Sequence, residues 1–379
     1  MKTDSRLSEI DALRGLSILL VLFNHSEAYT PWSIRFSEFF HGFGGLSGVT
    51  LFFVISGYAI TLSLYRHREK NPVDPAPIKA FMWRRFWRLQ PLALFWVAFT
   101  LFGTVFLNFT GFFGEWKQNL DAALSVLTLT ASWKVFQPGG LGALSVYWSL
   151  SIEEQFYLFY PFVFFAVRSR KQLLWVSIIG YVVLSMFINN PLLINHFSEQ
   201  KWLGIFLQGP RYQPILVGIV VYILSEQLKE KQAPGMMSAL RWAGIAAALL
   251  LPCVYQLTIE YSYPRQIYVP LFCAVIVFAA TLPGRRIPGT RAMAWLGHRS
   301  YGLYLAHMPC SMIIREAAYA LFPAATSSDW LMIAASVIAW AILTFGVTEI
   351  LYQYVEKPLT EYGRRFSSRS EQSAVLPAH

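Results

Sequence analysis

From Trp330 to Thr348 the chain runs nineteen residues without one charged side chain. In lipid every backbone amide must find its partner inside the segment itself, so a stretch of about 18 or more apolar residues reads as a membrane-spanning helix. The pattern recurs along the chain. Ten segments qualify, at 12–29, 46–65, 92–110, 147–167, 172–190, 212–228, 242–257, 266–282, 300–321 and 330–352. Composition agrees: 14% of the 379 residues are charged and 55% are hydrophobic, whereas a soluble domain needs about 25% charge. Disorder is excluded, because a chain stays unfolded only when it has too little apolar surface to bury. The expected fold is an all-α polytopic membrane protein of about ten transmembrane helices.

Charge sets the expected topology. With the N-terminus in the cytoplasm, 24 of the 31 lysines and arginines fall on the cytoplasmic side and 7 outside. That is the bias of the positive-inside rule, and it places both termini in the cytoplasm. The net charge of +10 is then a matter of topology, and no nucleic-acid partner is expected. Cys253, Cys273 and Cys310 lie in apolar runs, which argues against a disulfide framework, and no Cys/His spacing suggests a metal site. Residues 1–352 read as one transmembrane domain and 353–379 as a short cytoplasmic tail that frays. The outer connection at 111–146 has the character of a re-entrant or interfacial segment around Leu120–Trp133.

Polar groups at membrane depth are costly, at about 2.5–3.5 kcal/mol or more each, and therefore mark candidate sites. The first span carries Asp11 and Arg14 at one end and His25 at the other. Eleven residues of helix separate Arg14 from His25, roughly 16 Å at 1.5 Å per residue. The fourth span opens Tyr147-Trp148-Ser149-Leu150-Ser151-Ile152-Glu153-Glu154. There Ser149, Glu153 and Tyr157 share one face at i, i+4 and i+8, and Glu154 points about 100° away. Counted from the outer face, His25 and Glu153 come to similar depth, and a carboxylate that orients an imidazole makes a general base. The plain alternative is a set of packed interhelical hydrogen bonds.

A second constellation, Arg84, Arg85 and Arg88, falls on one side of a helix. Guanidinium forks bind phosphate; anchoring the start of a span is the alternative. His307, nearer the cytoplasmic half of the ninth span, stands two residues before Pro309. His298 lies in a loop with no role assigned. No Walker-type loop, GxGxxG, GxSxG or HExxH pattern is present.

Taken together these residues resemble the membrane-bound acyltransferase-3 family of bacterial O-acyltransferases. The resemblance rests on six stretches in order: Asp11–Arg14 with ten further residues before His25, Gly48–Tyr58, Arg85–Arg88, Trp148–Tyr157, Tyr301–Pro309 and Glu356-Lys357-Pro358. It implies transfer of an acyl group, usually acetyl from acetyl-CoA, to a hydroxyl of an envelope carbohydrate or glycolipid, at the bacterial inner membrane. On that reading His25 is catalytic, as general base or transient acyl carrier, with Glu153, Glu154 and Asp11 as acidic partners. Arg14, Arg84, Arg85 and Arg88 hold the CoA side, and Trp148, Ser149, Tyr157 and His307 line the acceptor side. No metal is implied. The esterase-like C-terminal domain that many relatives append is not expected here. The competing reading is a transporter or flippase with Arg14, His25 and Glu153 along its path, which favours paired inverted repeats that the sequence does not display.

Overall fold

The computed structural model describes residues 5–25, 47–70, 77–188, 190–196, 211–230, 234–257, 262–282, 289–323 and 329–365. Tyr29, Trp32 and His41, and the chain beyond Arg365, lie outside them. The described residues form helices and no strand, as the apolar runs require. In chain order they are α1 (Ser5–Asn24), α2 (Ser47–Lys70), α3 (Pro77–Phe106), α4 (Trp116–Leu127), α5 (Ala131–Lys134) and α6 (Tyr147–Ala166). There follow α7 (Arg170–Phe187), α8 (Pro191–His196), α9 (Gln213–Glu230), α10 (Pro234–Leu257), α11 (Ser262–Thr281), α12 (Thr290–Leu321) and α13 (Trp330–Leu351). Four stretches are long and apolar enough to cross a bilayer, Ser47–Glu69, Ile78–Phe106, Arg170–Phe187 and Trp330–Arg365. Their exposed surface is rich in large apolar side chains such as Phe102, Ile179, Ile338 and Ile342, as a lipid-facing surface demands. The chain is a multi-pass membrane protein.

Lipid tails are as apolar as leucine, so packing between spans rests on close backbone approach at small residues. Two crossings show it. A Cβ placed on Gly15 of α1 would stand 2.1 Å from the Met293 carbonyl oxygen, and one on Gly297 of α12 would stand 1.7 Å from that of Asp11. The α2–α9 crossing is built the same way on Gly57 and Gly218. Only glycine lets these backbones meet. The α1–α12 contact at Gly15–Gly297 and the neighbouring rings of His25 and His307 further along make the two helices parallel.

The connection at 111–146 carries the helices α4 and α5, packed beside α6. Buried Asn119 donates to Thr104 Oγ1 at 2.8 Å and to the Phe113 carbonyl, and its own Oδ1 accepts from Ala143 N. Leu129 adopts a left-handed conformation at φ 59°, and its carbonyl accepts from Ser151 and Gln155 of α6. The fraying expected after Tyr352 is not found up to Arg365. A π-helical turn, Tyr352–Glu356, follows α13 and the helix continues. Glu356 is buried there, while Lys357 and Pro358 of the closing motif are exposed.

Candidate functional site

Five helices enclose a cavity of about 620 Å³, counted out to its open mouth. Arg14 comes from α1, Ser56 and Phe53 from α2, Arg85 and Arg88 from α3, Ser149, Glu153 and Tyr157 from α6, and Tyr301 and Tyr304 from α12. On α3, Arg85 and Arg88 are three apart and share one face. The sequence expectation that Arg84 joins them does not hold. Its Cα stands 3.6 Å from where a Gly363 Cβ would sit, so it backs onto the C-terminal helix, and it is not among the cavity residues.

Two of the cavity's three cations, Arg14 and Arg85, are held from their own side. Arg14 Nη1 donates to Asp11 Oδ1 at 2.7 Å, and His298 Nε2 meets Asp11 Oδ2 at 3.0 Å. Asp11 therefore orders Arg14. It stands fourteen residues, roughly 21 Å of helix, from His25, too far to act as that ring's partner. The Arg85 guanidinium carbon sits 4.5 Å from the centre of the Tyr157 ring and 5.5 Å from that of Phe81. Aromatic faces stabilise a cation without spending its N–H groups, which stay available to a ligand.

The expected His25–Glu153 pair is not formed. Glu153 Oε1 accepts from Ser56 Oγ and from Tyr157 Oη, the latter at 3.0 Å, which puts this carboxylate among the arginines. Depth explains the miss. Ser149 and Tyr304 are hydrogen-bonded at 2.6 Å and so lie at one level. His307 is three residues further along α12, and Glu153 four residues the other way along α6, an offset of roughly 10 Å. Counting each residue from its own helix end missed it because α1 stops at Asn24, which leaves His25 at the helix end, whereas Glu153 lies six residues inside α6. Glu154 accepts from Gln90 Nε2 at 2.7 Å, on the α3 side of α6. Trp148 meets Phe53 edge-on with centroids 6.4 Å apart.

What stands beside His25 is His307, with ring centroids 5.1 Å apart. His307 lies midway along α12, level with the end of α1. Tyr304, a cavity residue, lies 5.7 Å from His307 in turn. His25 Nδ1 contacts the Val21 carbonyl at 2.9 Å, and His307 Nδ1 that of Leu303 at 3.2 Å. A carbonyl only accepts, so each Nδ1 carries its proton and Nε2 is the basic nitrogen of the neutral ring. The role given to Glu153, orienting the imidazole, thus falls to a backbone carbonyl.

Ser56, Tyr301 and Tyr304 were not singled out from the sequence as site residues. The signal was at hand, since Ser56 sits in the Gly48–Tyr58 stretch and both tyrosines in Tyr301–Pro309. Among the described residues no three His, Cys, Asp or Glu side chains are gathered to hold a metal ion.

A bundle of apolar helices with a cationic cavity at its centre and two histidines past its far end defines a polytopic membrane protein with an internal polar site. The family model for the acyltransferase-3 acyltransferase domain matches residues 7–349, and the chain belongs to that family. It is 26% identical to the peptidoglycan O-acetyltransferase OatA of Listeria monocytogenes, over 96% of this chain and 58% of that protein. It is 25% identical to YrhL of Bacillus subtilis over 95% of this chain and 56% of YrhL, and 24% identical to the O-acetyltransferase OatA of Staphylococcus aureus over 94% and 58%. The chain thus spans little more than half the length of these relatives. No solved structure matches it.

Proposed function

We propose that this chain is an integral membrane O-acyltransferase that moves an acyl group, acetyl first among candidates, from acyl-CoA on the cytoplasmic side to a hydroxyl of a cell-envelope carbohydrate. The observation that carries the reading is the convergence of Arg14, Arg85 and Arg88 on one cavity whose opposite end reaches Tyr304, the neighbour of His307. Three guanidinium groups suit the phosphates of a CoA ester. The names of the two OatA relatives support acetyl as the group, and that of the Listeria protein, a peptidoglycan O-acetyltransferase, supports an envelope carbohydrate as the acceptor. The reading includes ten spans with both termini in the cytoplasm of a bacterial inner membrane. It places the arginine end of the cavity toward the cytoplasm, near the basic N-terminal ends of α1 and α3.

In this mechanism His25 Nε2 takes the proton from the acceptor hydroxyl. The oxygen lone pair forms the new C–O bond to the thioester carbonyl carbon, and the carbonyl π pair moves onto its oxygen. When that pair returns, the C–S bond breaks, and the CoA thiolate takes the proton that the imidazolium holds. His25 starts and ends neutral, so one base serves both halves. The variant in which His25 carries the acyl group uses the same nitrogen as nucleophile.

Mass spectrometry of envelope glycans from cells with and without the gene tests the reading. Acetylated sugars should disappear with the gene and return with the wild-type copy but not with His25→Ala. Glycans identical in all four strains would sink it.

A further inference from the structure

Up one face of α6 from the arginines, the polar groups change in kind. Tyr157 lies under Arg85; Glu153 is four residues, roughly 6 Å, further along; Ser149 is another 6 Å on. Ser149 meets Tyr304 across the cavity. The Ser149 and Tyr304 oxygens are 2.6 Å apart, and both point at one acceptor, the Val146 carbonyl, at 3.2 and 3.0 Å. Three contacts share two protons. At most two of them are hydrogen bonds at any instant, so one hydroxyl proton can turn into the cavity while Val146 keeps the other. Both residues are buried and both line the cavity. Behind them Tyr304 rests on His307.

Resting on the donor reading above, we propose that the Ser149–Tyr304 hydroxyl pair is the carbonyl-binding element of this site: it donates to the thioester oxygen and stabilises the charge that develops there. The order along α6 is what a CoA ester presents from its phosphates inward. Cations come first, then at Glu153 an acceptor for an amide N–H, then hydroxyl donors for the carbonyl at the reacting end. Glu153 Oε1 is taken by Ser56 and Tyr157, and Oε2 is the oxygen left to accept from the amide. At the far end, attack puts the carbonyl π pair on the oxygen, and donors already aimed there lower that barrier without reorganising water. Ser149 and Tyr304 would then be catalytic residues, reached by the substrate oxygen, while His25 handles the proton.

Infrared difference spectra of [1-13C]acetyl-CoA on the full-length protein in nanodiscs read this directly and need no acceptor. The labelled C=O stretch should move to lower frequency on binding to the wild type. Part of the shift should be lost with Tyr304→Phe, which keeps the ring on His307, and all of it with Ser149→Ala/Tyr304→Phe. Affinity for free CoA, which has no acyl carbonyl to lose a hydrogen bond, should stay within about threefold in both variants. An unshifted wild-type band, or a shift that survives the double variant, overturns the carbonyl assignment while leaving CoA binding to stand. A wild-type protein that binds no CoA overturns the donor reading and this proposal together. If the double variant does not fold, the single Ser149→Ala and Tyr304→Phe spectra decide: each must lose part of the shift.

Discussion

The His25 and His307 rings meet beyond the α1–α12 crossing with centroids 5.1 Å apart and planes tilted by 50°. Both rings anchor Nδ1 on the carbonyl four residues earlier, so neither needs a carboxylate to set its tautomer. His25→Ala is expected to lower acyl transfer by about 10²–10⁴-fold, the usual worth of a positioned base. His307→Phe, which keeps a ring in place but removes its nitrogens, should lower turnover and leave CoA affinity unchanged. Transfer assays beside thermal unfolding check both. Activity that falls only in step with folded protein would make the pair a packing feature.

Arg85 and Arg88 face the cavity, and Arg84 does not. Hydrogen bonds to charged groups contribute about 1.5–3 kcal/mol, so Arg85→Ala or Arg88→Ala should weaken CoA binding by roughly 10- to 100-fold. Arg84→Ala should change it by less than about threefold. Calorimetry in nanodiscs separates them, and equal losses at all three positions would contradict the cavity geometry.

The glycine crossings permit a sharp contrast. Gly15→Ala and Gly218→Ala each place a methyl group about 2 Å from a backbone oxygen, at Met293 and Val54 respectively. The backbones must part to admit it, and overpacking of that kind costs about 1–3 kcal/mol or more. Nothing stands within 4 Å of a Cβ at Gly346 inside α13, so Gly346→Ala should stabilise the helix by up to ~1 kcal/mol. Detergent melting curves should order the variants Gly346→Ala, wild type, then the two crossing variants.

Glu316 of α12 is buried, and its carboxylate accepts from Thr110 N at 2.6 Å, Thr110 Oγ1 at 2.7 Å and Phe112 N at 2.9 Å. One side chain thereby holds the turn between α3 and α4. Glu316→Ala leaves three donors without it and should cost about 1–3 kcal/mol of local stability. Hydrogen exchange should rise at 108–114 and stay unchanged at the Arg85–Arg88 turn. Unchanged exchange in the loop would show that the staple does not hold it.

Much of this protein can be derived from residue order alone. Length and apolarity of the runs dictate helices, because no other backbone satisfies itself in lipid. The three-residue spacing of Arg85 and Arg88 and the four-residue steps of Ser149, Glu153 and Tyr157 decide which side chains share a face, since the helical repeat is a local property. Apolar patterning measures depth along one helix and carries no information on how far that helix slides against another. That offset is decided where backbones touch, at Gly15 against Gly297 and Gly57 against Gly218. Tertiary packing alone therefore put Glu153 among the arginines, set the Arg84 backbone against the C-terminal helix, and brought His307 to His25.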